Sequence, residues 1–409
     1  MTKHRLMLSA AAAALLAAPA TVHADTTITT STSKALVTST DGTIVIDAGG
    51  GVGISAAGAA VTINSNNSVT NNGFIANTGT NDSTGIQIDT TNGNISPGAT
   101  GFFSTGTIDL GGGGTNKRGI YITGGKTYYG PITLSSLTGL TTTGQAVSTQ
   151  SSSLILKGDN SAALFLAQDT KVTSNILLGG GGIIQNASDN STASNSLMVL
   201  LDGTVNGNVV NAGGLAGVGP GMIGMQINGG IHSCASDTSA PSGFTCPTTF
   251  SGGSLINSGQ ISLTGIGFPS SRGNNPQSGS ALIIASSIDG GVLNAGPGTS
   301  SNVTAAVISA NGIISNGVVN PTVLIDPSRS INSATSTPRG PVILGPVTAD
   351  VDSIDPGYSF INRGGISAQP TDSQLSTVAM VIQGTSSAYF TCLGTSVSAT
   401  TCDTTPHTV

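Results

Sequence analysis

The stretch Leu255-Ile256-Asn257-Ser258-Gly259-Gln260-Ile261 carries the fold of this chain. Two apolar residues lead into Asn, a spacer and Gly, and an apolar residue returns two positions later. Such a segment reads as strand, corner, strand. The pattern recurs at Val209-Val210-Asn211-Ala212-Gly213, Val292-Leu293-Asn294-Ala295-Gly296 and Phe360-Ile361-Asn362-Arg363-Gly364. Looser copies occupy Val69-Thr70-Asn71-Asn72-Gly73 and Phe102-Phe103-Ser104-Thr105-Gly106. A second kind of run alternates with it. Gly119-Ile120-Tyr121-Ile122, Ala163-Leu164-Phe165-Leu166, Leu197-Met198-Val199-Leu200, Ala281-Leu282-Ile283-Ile284, Ala306-Val307-Ile308 and Ala379-Met380-Val381-Ile382 are short, β-prone and bounded by Gly, Ser, Asn or Asp.

Short strands joined by corners cannot bury an apolar face alone, so the units must stack on one another. Parallel stacking places equivalent side chains about 4.8 Å apart. Asn71, Asn211, Asn257, Asn294 and Asn362 are then expected to form ladders of amide hydrogen bonds along the stack. Gly73, Gly213, Gly259, Gly296 and Gly364 are expected to supply the positive φ of a turn. The predicted architecture is an all-β, right-handed parallel β-helix, an elongated β-solenoid. Antiparallel hairpins of a sandwich or propeller would set Asn and Gly side by side, whereas one residue separates them here. At about 22 residues per coil the chain would make roughly 17 coils and a rod of about 80 Å.

The composition fits this reading. Gly accounts for 59 of 409 residues, and Glu and Trp are absent. Without straight-chain residues in quantity, long helices lack support. Charged residues make up 7%, against roughly 25% in ordinary domains. Stacking Lys on Lys at each coil is repulsive, whereas Thr, Ser and Asn columns are not. With a formal net charge of −6 and no basic cluster larger than Lys117-Arg118, nucleic acid is not an expected partner. Aromatics at 3% leave no stacking platform for single strands either.

Lys3, His4 and Arg5 precede a largely apolar run from Leu6 to Ala18, and Pro19 to Ala24 is a small-residue exit. This is the three-part form of a secretory signal peptide, with cleavage expected before Asp25. Cys234, Cys246, Cys392 and Cys402 remain in the exported part, where an oxidising compartment favours disulfides. Three connectivities exist. Pairing within each local couple is the simplest, since each closes a short polar segment, and the absence of any Cys-x-x-Cys element argues against zinc. The chain thus divides into a leader at 1–24, an N-terminal strand or cap region at 25–59, β-helix repeats at 60–390 with a loop insertion near 232–250, and a polar tail at 391–409.

Ala60 to Ile75 reads AVTINSNNSVTNNGFI, with Gly85-Ile86-Gln87-Ile88 after it. This resembles the opening passenger repeats of autotransporter-type outer-membrane proteins of Gram-negative bacteria, of sphingomonad type, and Leu255 to Ile261 is similar to runs in their passengers. The likeness covers most of 41–390. It implies a parallel β-helix exported through the outer membrane, displayed at the cell surface and associated with adhesion. The implied partners are an outer-membrane translocator and a glycan or other surface ligand. Because the repeat motif of that family is structural, no catalytic residue, metal or cofactor carries over. The family's translocator barrel of about 12 strands with aromatic girdles has no counterpart in this sequence, so a passenger fragment or truncated product is expected.

A carbohydrate-active β-helix, lyase or hydrolase, is the alternative. Glycoside hydrolysis needs two carboxylates converging on a cleft. The densest acidic group, Asp350, Asp352 and Asp355, reads instead as solvated loop acids ahead of Pro356-Gly357. The exported chain has His232 and His407 but no Gly-x-Ser-x-Gly elbow to supply a nucleophile. Gly51 to Ala56 lacks the following helix of a dinucleotide fingerprint, and Gly119 to Lys126 has one residue too many for a phosphate loop. The expectation is a non-enzymatic spacer or adhesin.

Overall fold

The computed structural model describes residues 24–135, 137–140, 146–148, 152–179, 182–186, 195–247, 252–265, 279–295, 312–316, 320–329, 331–332, 337–338, 340–347, 358–369 and 377–383. Within them the chain winds through ten coils, and each coil adds one strand to three long sheets, here A, B and C. Sheet A takes Thr26–Ile28, Ile44–Ile46, Val69–Asn71, Phe102–Ser104, Ile132–Leu134, Ile176–Leu178, Val209–Asn211, Leu255–Asn257, Val292–Asn294 and Phe360–Asn362. Sheet B runs from Ser31–Thr32 to Gly365–Gln369, and sheet C from Leu36–Val37 to Met380–Ile382. Neighbouring strands in all three pair in parallel, one coil onto the next. The molecule is a parallel β-helix.

Several expectations change at this point. Ten coils, not about 17, are present among the described residues, and nine steps of about 4.8 Å make a stack of roughly 43 Å. The reason is coil length, which grows from 18 residues between Thr26 and Ile44 to 68 between Val292 and Phe360. Coils also begin at Thr26, ahead of residue 60, since Thr26–Ile28 already pairs with Ile44–Ile46. In the ninth coil the sheet C strand is Val323–Ile325, and the run Ala306-Val307-Ile308 lies outside the described residues. So do residues 1–23 of the leader, Gly296, and the tail with Cys392 and Cys402.

The three sheets enclose one core. Alternate residues point inward, as with Ile44 and Ile46 on sheet A, Ile108 and Leu110 on sheet B, and Ile120 and Ile122 on sheet C, all fully buried. Each such side chain contributes roughly 1.5–3 kcal/mol by leaving water. The last residue of each sheet A strand sits at the corner toward sheet B and forms one continuous column: Ile28, Ile46, Asn71, Ser104, Leu134, Leu178, Asn211, Asn257, Asn294, Asn362. Asn211 Nδ2 donates to Asn257 Oδ1 at 2.8 Å, Asn257 Nδ2 to Asn294 Oδ1 at 2.7 Å, and Asn294 Nδ2 to Asn362 Oδ1 at 2.6 Å. Asn71 Nδ2 donates to Ser104 Oγ at 3.1 Å, which explains the looser second copy.

The glycines of the motif act differently from expectation. Gly73, Gly213, Gly259 and Gly364 do not adopt positive φ. Gly73 and Gly259 are required because stacked corners approach closely: a Cβ on Gly259 would stand 2.0 Å from Gly213 O, and one on Gly73 would stand 2.2 Å from Gly50 O. The narrow corner lets Gln260 N–H donate to Gly213 O at 2.9 Å. Asn257→Ala leaves the buried amide of Asn211 and carbonyl of Asn294 without their ladder partners, an expected loss of about 2–4 kcal/mol. Gly259→Ala is expected to destabilise the same coils, whereas Gly214→Ala, with open space around its Cβ position, is not. Hydrogen exchange at Val209–Asn211 and Val292–Asn294 reads both effects.

Candidate functional site

A fourth sheet, D, is absent from the sequence reading. It stacks Thr127–Tyr128, Lys171–Thr173, Thr204–Asn206 and Ile231–His232, and bridges at Ile288 and Leu344 continue it. Tyr128, Val172, Val205 and Ile231 fill the core, while their neighbours Thr173, Asn206 and His232 form an outward polar row. Directly after Ile231–His232 comes the insertion with the first cysteine couple. Cys234 and Cys246 are joined in a disulfide, and Cys234 is buried.

This disulfide-closed loop folds back over sheet D toward a coil three steps earlier. Tyr129 Oη donates to Ser239 O at 2.9 Å, and the Tyr129 and Phe244 rings meet edge-on with centroids 5.2 Å apart. Between these points Asp237 plugs into the polar row. It accepts from Thr173 Oγ1 at 2.5 Å and from Ser239 N–H at 3.0 Å, with Lys171 Nζ at 3.9 Å. Asn206 Nδ2 also donates to Thr173 Oγ1. Burial of Asp237 opposes ionisation, but hydrogen bonds from Ser239 and Thr173 and the Lys171 charge outweigh it and hold the carboxyl below its ordinary value. The loop is therefore a strap clamped across sheet D.

At the rim of the strap His232 Nδ1 lies 3.0 Å from Asp289 Oδ1. Adjacent coils create the pair, because Ile231 and Ile288 bridge each other. The Ser233 N–H at 3.4 Å holds the other carboxylate oxygen. Nε2 packs over Gly230, where a Cβ would come within 2.9 Å of it. Both side chains are substantially exposed, at 35% and 44%. This is an acid–imidazole pair on an open surface, and no group of three or more His, Cys or Asp side chains assembles for a metal among the described residues. The acidic group Asp350, Asp352 and Asp355 and the imidazole of His407 lie outside them.

A second cluster lies at the corner between sheets B and C. Asp82, Asn116, Asn160 and Asn195 occupy one register position, all with φ between 46° and 58°. Asn and Asp tolerate that region best among residues with a side chain. Each is followed by a fully buried residue: Ser83, Lys117, Ser161 and Ser196. The signal was in the sequence, as Asp82-Ser83-Thr84-Gly85 and Asn160-Ser161-Ala162-Ala163 repeat one order. Lys117 replaces Ser in this column, and its ammonium donates to Leu110 O at 3.2 Å and to Gly112 O. Burial lowers its pKa despite the opposing charge of Asp109. Beside it Arg118 lies over the Phe165 ring at 5.1 Å, and Tyr121 stacks on Phe165 at 5.3 Å. These ring faces are used on each other and on Arg118, so the trio builds a rung of the stack.

Gly51–Ile54 is a strand of sheet B and Arg118–Thr123 a strand of sheet C, so neither glycine stretch is a phosphate-binding loop. The ladder residues Asn71, Asn211, Asn257 and Asn294 are buried and serve the stack. No protein-family model matches the chain, and neither the curated proteins nor the solved structures contain a significant match to it.

Two pH effects follow. For Asp237 the folded pKa lies below the ordinary 3.8, so its stabilisation is complete above that value and is lost as pH falls through the folded one. Acid titration is expected to release the strap before the coils melt, read by Tyr129 fluorescence, and Asp237→Asn is expected to remove this transition. For Lys117 the folded pKa lies below the ordinary 10.5, so the unfolded chain holds more protons in the alkaline window and stability from this group rises with pH there. Lys117→Met is expected to abolish that rise in denaturant titrations at increasing alkaline pH.

Proposed function

We propose that the chain is an exported, surface-displayed β-helical passenger that serves as a structural spacer or adhesin and carries out no catalysis. The observation that carries this reading is the stack itself. Among the described residues ten coils joined by three parallel sheets, the last four also by an Asn ladder, make a weakly charged rod, and a rod is what a spacer must supply. The disulfide-closed strap suits an oxidising compartment outside the cytoplasm. The leader-like segment at 1–24 and the passenger-like repeats at 41–390 point the same way, and an outer-membrane translocator is the partner this role calls for.

The test has two parts. Expressed from Met1 in a Gram-negative host together with a translocator, the protein is expected to begin at Asp25 and to be accessible to protease on intact cells. Retention of the leader, or confinement to the cytoplasm, overturns the reading. A glycan-binding array combined with a polysaccharide-hydrolysis screen is expected to show at most binding. New reducing or unsaturated ends would establish the carbohydrate-active alternative instead.

A further inference from the structure

Asn71 and Asn211 occupy equivalent situations in the corner column. Each stands beside an aliphatic rung of the preceding coil, Ile46 and Leu178 respectively, so neither Oδ1 receives an amide from that side. Asn71 finds a local donor, since Gly73 N–H reaches its Oδ1 at 3.2 Å. At Asn211 the equivalent Gly213 N–H is turned instead to Leu178 O, also at 3.2 Å. Asn211 is 0% exposed, and its Oδ1 has no partner among the described residues. A buried acceptor left in this state is costly, and native structures almost always satisfy it.

Two further observations give the oxygen a ligand. Asn211 lines a cavity between coils together with Leu134, Ser152, Leu178 and Gly182. The space open to the centre of a water-sized molecule is about 10 Å³, about the least that holds one water. In addition, every amide behind Asn211 donates in the same direction, toward Asn362. Aligned hydrogen bonds polarise one another, so the chain of amides concentrates negative charge at its free end, Asn211 Oδ1. The site therefore selects a compact hydrogen-bond donor.

We propose that the cavity at Asn211 is a binding site for a single water molecule, which donates to Asn211 Oδ1 and takes the place of the rung that Leu178 cannot supply. Ser152, which lines the same cavity, carries a hydroxyl that can serve as a second partner. The inference is independent of the surface role proposed above.

High-resolution diffraction from the whole protein tests it, with crystals grown free of ammonium. One peak at hydrogen-bonding distance from Asn211 Oδ1 is expected. In Leu178→Asn the new Nδ2 is expected to reach Asn211 Oδ1, displace the peak and raise the melting temperature. Asn211→Leu, which removes the acceptor, is expected to lose the peak. Should either variant fail to fold, water-to-protein cross-relaxation at the Asn211 amide of the unmodified protein gives the same reading. An empty cavity, a protein donor on Asn211 Oδ1, or a peak that survives in Asn211→Leu would overturn the proposal, as would a peak that appears only when ammonium is supplied.

Discussion

Every coil of this molecule lies about 4.8 Å from the next, and that step governs which residues the chain can use. A side chain in a column meets its own equivalent at contact distance, above and below. Apolar residues, Thr, Ser and Asn satisfy one another in such columns, and ionised groups of one sign do not. The Asn column from 211 to 362 shows the favourable limit, where Asn257 and Asn294 each donate to one neighbour and accept from the other. The same step explains the corner glycines, because Gly213 and Gly259 bring carbonyl and Cβ position to 2.0 Å.

The constraint acts on columns and leaves the connections free. Between Val292 and Phe360 the chain spends 68 residues, and between Thr26 and Ile44 only 18, yet both pairs stack in register. Insertions leave at the corners, so they lengthen a coil without disturbing the sheets. The strap closed by Cys234 and Cys246 is the best defined of them. Through Tyr129, Thr173 and Lys171 it ties together coils that are otherwise joined only by neighbour-to-neighbour contacts. In a quasi-one-dimensional stack such a longitudinal tie opposes local opening where a sheet alone cannot.

Where a column breaks its own rule, the structure compensates locally. Lys117 stands in a column of serines, and the Gly-rich turn after Leu110 wraps its carbonyls around the ammonium. Leu134 and Leu178 interrupt the amide column, and the interruption leaves Asn211 Oδ1 without an amide donor from that side.

The sequence by itself determined the parallel β-helix, the strand identity of the Asn-x-Gly segments, the Asn ladder and the local pairing of Cys234 with Cys246. These are legible because each depends on residues a few positions apart or on a motif repeated in every coil. The column of Asp82, Asn116, Asn160 and Asn195, all in the left-handed region, was less legible, because its members recur at irregular intervals of 34, 44 and 35 residues. Only the tertiary structure decided that the described residues make ten coils, that Gly259 serves close approach and not positive φ, that sheet D exists, and that Asp237 reaches Thr173 and His232 reaches Asp289. Those contacts join residues 57 to 64 positions apart. Insertions of irregular length separate them, so no period in the sequence announces the meeting, and it follows only once the coils are stacked.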